Sequence, residues 1–332
     1  MLDLSEPRTA LLLSVLRDAA VLGRAVRAET KPAGLTKEDL SPVTVGDFAI
    51  QAMAGRRLRA AFPDIPLVAE EDSAELRTAD SAAVLEAVTR HVSHLEQDAT
   101  PDTVCEWIDV GGAEPGDVFW TLDPIDGTKG FLRGGQYAVA LALVEQGKSV
   151  LGGLACPGLN PDGAPGAGMI ALALRGAGAW TAPMDDPSAP WQRLHVSPCA
   201  NPVLARMMRS FEAGHTNTDQ TDAIAGAMGM NTEPVPMDSQ AKYAALAAGR
   251  AEMLIRLLSP KRMDYKEKIW DQAAGTIVLE EAGGRVSDLY GKPLDFTRGR
   301  CLTENTGLLA TNGTIHDAAL AAIKRVLENN TE

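Results

Sequence analysis

Residues 122–131, "LDPIDGTKGF", put Asp123 and Asp126 three positions apart around a proline and just ahead of a glycine. Two carboxylates about 4 Å apart repel by roughly 4 kcal/mol at an effective dielectric near 20, so something must offset that repulsion. Water at a plain turn is one answer, since proline presets the backbone and Asp-Gly is a common turn pair. A shared proton or a hard cation is another. Mg²⁺ prefers oxygen ligands and keeps several waters, and the Ile125 carbonyl lies between the two acids. A helix opening at Gly127 and Thr128 would add free N–H groups that favour an anion beside such a cation. The segment follows an apolar strand, "VFWTL", and reads as the loop leaving it.

Other acids invite the same two readings. Glu70 and Glu71 end the short strand of "PLVAEEDS"; paired glutamates are ordinarily a solvated edge. Asp47, in "SPVTVGDFA", reads as the N-cap of a helix that Pro63 stops. Asp271, in "IWDQAAGTIVLEEAGG", fits the cap of a helix ended by Gly283 and Gly284. Its small and bulky apolar neighbours imply partial desolvation, so it would need a cation or several donors to stay ionised. It lies 148 positions beyond Asp123, and a shared metal would tie two remote parts of the chain together.

Apolar periodicity predicts a helix over 9–28 and helical character over 80–98. "YAVALALVEQGKSVLGGLAC" and "MIALALRGAGAWTA" read as hairpins, and alanine-rich helices alternating with short apolar runs follow. This gives an N-terminal α+β half, 1–160, holding a largely antiparallel sheet and the 122–131 segment. A C-terminal α/β half, 161–332, contributes Asp271.

The chain has 332 residues, 45% of them hydrophobic, enough for a sizeable core. A formal charge of −13 argues against a nucleic acid polymer or an anionic membrane as partner, though not against a small anion held through a cation. The four cysteines are far apart, which predicts reduced thiols rather than a disulfide framework or zinc site. The acids near the N-terminus do not suit a signal peptide, and no apolar run approaches the ~18 residues of a membrane span. A cytoplasmic location is expected.

Taken in order, "AEEDS", "LDPIDGT" and "WDQAAG" resemble the signatures of the inositol monophosphatase superfamily of lithium-sensitive, Mg²⁺-dependent phosphomonoesterases. Alanine stands at 69 where glycine is usual. "SPVTVGD", "KGFLRGGQ", "DSQAKY" and "YKEKIWDQAAG" are most similar to its 3′(2′),5′-bisphosphate nucleotidase branch. The resemblance implies the layered α-β-α-β-α sandwich of the sugar phosphatases, as a monomer or homodimer. It implies Mg²⁺, two or three ions per site, held by Glu70, Asp123, Asp126, Asp271 and the Ile125 carbonyl, with Glu71 beside them. Asp47, Glu70 and Thr128 would be catalytic, holding and deprotonating the attacking water. Gly127 and Thr128 would give N–H groups to the phosphate, Asp126 and Asp271 would also contact the substrate, and His215, Ser239, Lys242 and Arg256 the nucleotide. By composition alone a loop histidine or a lysine on an alanine-rich helix is ordinarily surface. The implied reaction converts adenosine 3′,5′-bisphosphate to AMP and phosphate, with its 5′-phosphosulfate form as a second substrate. An inositol phosphate or fructose 1,6-bisphosphate phosphatase would share the metal segment. A covalent aspartyl phosphotransferase would space its aspartates two apart, and a mere phosphate-binding protein would not need Asp47, Glu70 and Thr128.

Overall fold

The computed structural model describes residues 2–29, 42–211, 218–258 and 264–329. Helix α1 (Pro7–Glu29) turns its stripe of Leu12, Val15, Leu16, Ala19 and Val26 inward, as periodicity predicts. Its first turn is satisfied by Glu6, whose carboxylate accepts from the Thr9 amide at 2.8 Å. Helix α2 (Pro42–Ala61) opens earlier than expected, with Pro42 where a missing N–H has no helical partner to lose. Asp47 therefore lies inside α2, and the N-cap role read for it is corrected.

After strand β1 (Leu67–Ala69) the helical character expected over 80–98 is met by α3 (Ala82–Ser93), and a further helix, α4 (Pro101–Asp109), lies beyond it. It opens after Thr100, which caps α4 reciprocally with Thr103 ahead of Pro101. Strand β2 (Val118–Asp126) and the short helix α5 (Thr128–Leu132) follow. The chain then meanders through β3 (Ala138–Glu145), β4 (Lys148–Cys156), β5 (Met169–Leu174), β6 (Gly178–Pro183) and β7 (Gln192–Arg193). Among the described residues these strands form one seven-stranded sheet in the order β1 to β7, with β1 parallel to β2 and every other pair antiparallel. The β3–β4 hairpin turns on Gln146 and Gly147, with φ of 48° and 71°, the positive pair that matches strand twist. Residue 160 falls between β4 and β5 of this sheet.

Side-chain size decides what covers each face. Along β3, Val139, Leu141 and Leu143 point to the core shared with α1 and α2, whereas Ala138, Ala140 and Ala142 point the other way. The alanine face admits a helix at close range. A Cβ on Gly152 of β4 would lie 2.5 Å from Ile277 Cγ2 of helix α8 (Ala273–Glu281). Helix α8 fills this middle layer with α7 (Ala241–Ala247).

The second sheet comprises β8 (Met207–Arg209), β9 (Val235–Pro236), β10 (Met253–Arg256), β11 (Arg285–Ser287) and β12 (Leu308–Thr311), ordered β11-β12-β10-β8-β9. One face meets the middle helices; the other packs Met207, Met253 and Ile255 against α6 (Thr218–Ala227) and α9 (His316–Asn329). The result is the expected α-β-α-β-α layering. The described residues contain no helix long and apolar enough to cross a membrane. Cys105, Cys156, Cys199 and Cys301 are all free.

His316, fully buried at the start of α9, is held between Ser287 Oγ at 3.0 Å and Thr311 Oγ1 at 2.9 Å. Burial, with Arg285 nearby, pushes its pKa from 6.5 down to about 4. The fold thus keeps the ring neutral while the unfolded chain takes a proton below about 6.5, so stability is lost as pH falls from about 6.5 towards about 4. In His316→Asn, the slope of denaturation midpoint against pH in that window should shrink. An unchanged slope would clear His316 as its source.

Candidate active site

The site begins with a departure from the sequence reading. Residues 122–126 continue β2 rather than leaving it as a loop. Asp123 pairs with Ala140 and Asp126 with Ala138, with a register shift between them. Pro124 cannot donate to a ladder, and such a shift is where a sheet tolerates one. Gly127 then turns the chain with φ of +92°, and a Cβ there would lie 2.7 Å from Ser239 Cβ. Glycine is thus required both for the backbone angle and for the close approach of the 238–242 turn. On the far side, a Cβ on Gly46 would meet Ile125 Cδ1 at 2.5 Å, so α2 also presses on this strand end.

Gln240 ties the remote parts together. Its backbone N–H donates to Asp126 Oδ2, its Nε2 donates to the Trp270 carbonyl at 3.0 Å, and its Oε1 accepts from the Gly275 amide at 3.2 Å. One buried side chain thereby fixes the segment carrying Asp271 against the end of β2. Asp271 itself precedes the N-cap, Gln272, and does not cap α8 as read from sequence. Gln240 lies within the "DSQAKY" stretch that carried the family resemblance, but no role had been read for it.

A cavity of about 470 Å³ opens where these segments meet. Glu70, Asp123, Asp126 and Asp271 line it, with Ile125, Gly127 and Thr128 between the acids. Ser239, Lys242 and Arg256 line it as well. Asp47 is buried in α2 and is not on the cavity wall. His215 lies outside the described residues.

Burial is uneven among these acids: Asp123 and Asp47 are buried, Asp126 and Asp271 are half-buried. Asp123 is 2% exposed, and burial raises its pKa well above the usual carboxylate range, with Glu70, Asp126, Asp271 and Asp47 adding to the rise. Asp271 is raised well by burial and Asp126 against the opposing Arg256, and Asp126 is raised by burial despite the Gln240 amide and Lys242. Glu70 keeps an open face to solvent, yet its dense surroundings and Asp126 raise it too. Burial and Glu70 push Glu71 up to about 7. Asp47 is raised well by burial and then by Glu71 and Glu70, while the Ile125 amide opposes.

Cations line the same cavity. Lys242 Nζ donates to Ser210 Oγ at 2.7 Å, and burial with Arg256 pushes its pKa down to about 8. Arg256 pairs with buried Glu267 at 2.9 Å and stands 5.8 Å from the Tyr265 ring centroid. Gln272 donates to Glu267 at 3.0 Å and accepts from the Tyr243 hydroxyl at 2.7 Å, which holds Glu267 in place. Glu267 and Gln272 stand in the quoted "YKEKIWDQAAG" with no function read for them.

Among the described residues no three His, Cys, Asp or Glu side chains are gathered tightly enough to enclose an ion as they stand. The donor set nevertheless fits a hard cation. It is all oxygen, four carboxyls face the cavity, and Asp123 Oδ1 is buried without a hydrogen-bond partner.

The sequence matches the Inositol monophosphatase family over residues 14–328. It is 40% identical over 321 residues to a 3′(2′),5′-bisphosphate nucleotidase of Schizosaccharomyces pombe, covering 92% of this chain and 90% of that protein. A rice (Oryza sativa) protein of the same name is 40% identical, covering 95% of this chain and 92% of its own length. The fold matches the IMPase of Thermotoga maritima with a TM-score of 0.62 at 22% identity, covering 97% of this chain and 98% of that one. CysQ of Bacteroides thetaiotaomicron, a bacterial member of the same family, also gives 0.62, at 18% identity over 93% and 98%.

With its pKa raised by burial, Asp123 near neutral pH must either stay charged out of water or take up a proton that the unfolded chain does not bind, and either lowers stability. In chelator near neutral pH, Asp123→Asn should raise stability by about 1 kcal/mol or more, roughly 2–4 °C in Tm. A lower Tm by calorimetry would show that this carboxyl is not the strained group.

Proposed function

The chain belongs to the inositol monophosphatase family, whose members are phosphatases that generally depend on Mg²⁺, and from that premise we propose that it removes the 3′-phosphate of adenosine 3′,5′-bisphosphate to give AMP and phosphate. The 5′-phosphosulfate form of the same nucleotide is a second substrate. One observation carries the reading: carboxylates and the cations Lys242 and Arg256 line the same cavity. That arrangement suits a substrate with two anionic ends, one reacting among the acids and one held by the cations. The names of the relatives at 40% identity support the same substrate.

Glu70, Asp123, Asp126, Asp271 and the Ile125 carbonyl would hold Mg²⁺. When bound, the ion neutralises phosphate oxygens and makes a neighbouring water easier to deprotonate. The chain's own groups do the rest. Asp47, whose burial makes its carboxylate a stronger proton acceptor, takes the proton of the attacking water through the Thr128 hydroxyl, with Glu70 orienting that water. The Gly127 and Thr128 amides meet the phosphate oxygens. The water attacks in line, opposite the ribose oxygen that leaves. Ser239, Lys242 and Arg256 position the nucleotide, and Glu267 keeps the guanidinium of Arg256 aimed at the cavity.

A phosphate-release panel tests this with adenosine 3′,5′-bisphosphate, an inositol monophosphate and fructose 1,6-bisphosphate, each with and without Mg²⁺. The nucleotide with Mg²⁺ should give the highest kcat/KM. Asp126→Asn should lower turnover about a hundredfold or more, at least the loss seen when a ligand's outer-shell partner is removed. Faster release from an inositol or sugar phosphate would overturn the substrate assignment, and near-normal turnover by the variant would overturn the role of Asp126.

A further inference from the structure

Glu70 and Asp271 approach the cavity on different segments, each preceded by a residue that Arg300 touches. The Arg300 guanidinium donates to the carbonyl of Ala69, at the end of β1. It also donates to the carbonyls of Gly111 at 3.2 Å and Ala113 at 3.1 Å. Gly111 in turn accepts from the Ala69 amide at 2.9 Å, so the guanidinium closes a small ring of backbone around the strand end. Strand β1 is a three-residue edge strand with β2 on one side, and an edge carbonyl needs such a donor.

The same guanidinium lies over Trp270, 4.9 Å from the ring centroid, and Trp270 is 4% exposed. The backbone of Arg300 is strapped to the Asp271 segment too. The Ile269 amide donates to the Arg300 carbonyl at 3.2 Å, and the Leu302 amide donates to the Glu267 carbonyl at 2.8 Å. Arg300 therefore belongs by its main chain to the segment of Asp271 and reaches by its side chain to the segment of Glu70.

We infer that Arg300 is a positioning residue that sets the spacing between Glu70 and Asp271 and thereby the affinity of the site for its divalent cation. This rests on the Mg²⁺ reading above. A planar fork with several donors is needed to meet three carbonyls while stacking on an indole; the point charge of lysine cannot do both.

The test is Mn²⁺ binding to the full chain without substrate, followed by electron paramagnetic resonance and calorimetry. It compares wild type, Arg300→Met, Arg300→Lys and Arg206→Met. Arg206 is a control clamp off the cavity, forked on Glu252 at 2.7 Å and donating to the Gly249 carbonyl at 3.0 Å. Both Arg300 variants should raise the Mn²⁺ dissociation constant about tenfold or more, the usual effect of losing an outer-shell partner. Arg206→Met should lower Tm yet leave Mn²⁺ affinity near wild type. Unchanged affinity in a folded Arg300 variant would overturn the proposal, as would an equal loss in Arg206→Met. Failure of both Arg300 variants to fold would assign Arg300 to stability alone and equally overturn it. If wild type itself bound no Mn²⁺, the Mg²⁺ reading would fail instead.

Discussion

Glu70, Asp123, Asp126 and Asp271 are held within reach of one another's charge around one cavity, with Asp123 buried and Glu70 open to solvent. Inside a protein their repulsion exceeds what it would be in water, and no local sequence preference would gather them. The gathering is imposed from outside. Pairing of β2 with β3 fixes Asp123 and Asp126, parallel pairing with β2 fixes the residue before Glu70, and Gln240 binds the Asp271 segment to Asp126. The favourable energy of burying two extended cores keeps the acids together, and the acids keep their protons more tightly as a result.

The layering follows from the same need. Large residues on one face of the first sheet hold α1 and α2, while alanines on the other let α7 and α8 come close. The middle layer can then carry Asp271 and the 238–242 turn up to the end of β2. A bulkier face would hold these segments away. Gly127 plays the matching part in the turn, where any side chain would collide with Ser239.

Much of this was legible in the sequence, and the misses have physical causes. Periodicity located α1 because its inward stripe is continuous, and both meander hairpins were announced by apolar runs on either side of glycine turns. The layered fold and the family followed from motifs in order. Pro124 made residues 122–126 look like a loop, because local propensity does not reveal that a register shift can absorb a proline inside a strand. Asp47 looked like a cap because nothing after Pro42 marked the helix as already begun. Helix α4 lies past the 80–98 run and was not read, although Thr100 and Pro101 form its start signal. That the acids line one cavity was suggested by motif order alone. Gln240, Glu267 and Arg300 were missed because each acts through contacts 30 or more positions away, or through a partner whose place only the fold determines.

The central claim is that these crowded acids hold protons which a divalent cation displaces. Calorimetric titration of Mg²⁺ into the cation-free protein near pH 7, repeated in buffers of different ionisation heat, tests it directly. The account predicts binding whose apparent heat changes with the buffer in the sense of proton release. Binding heat identical in every buffer, or no binding at all, would contradict it.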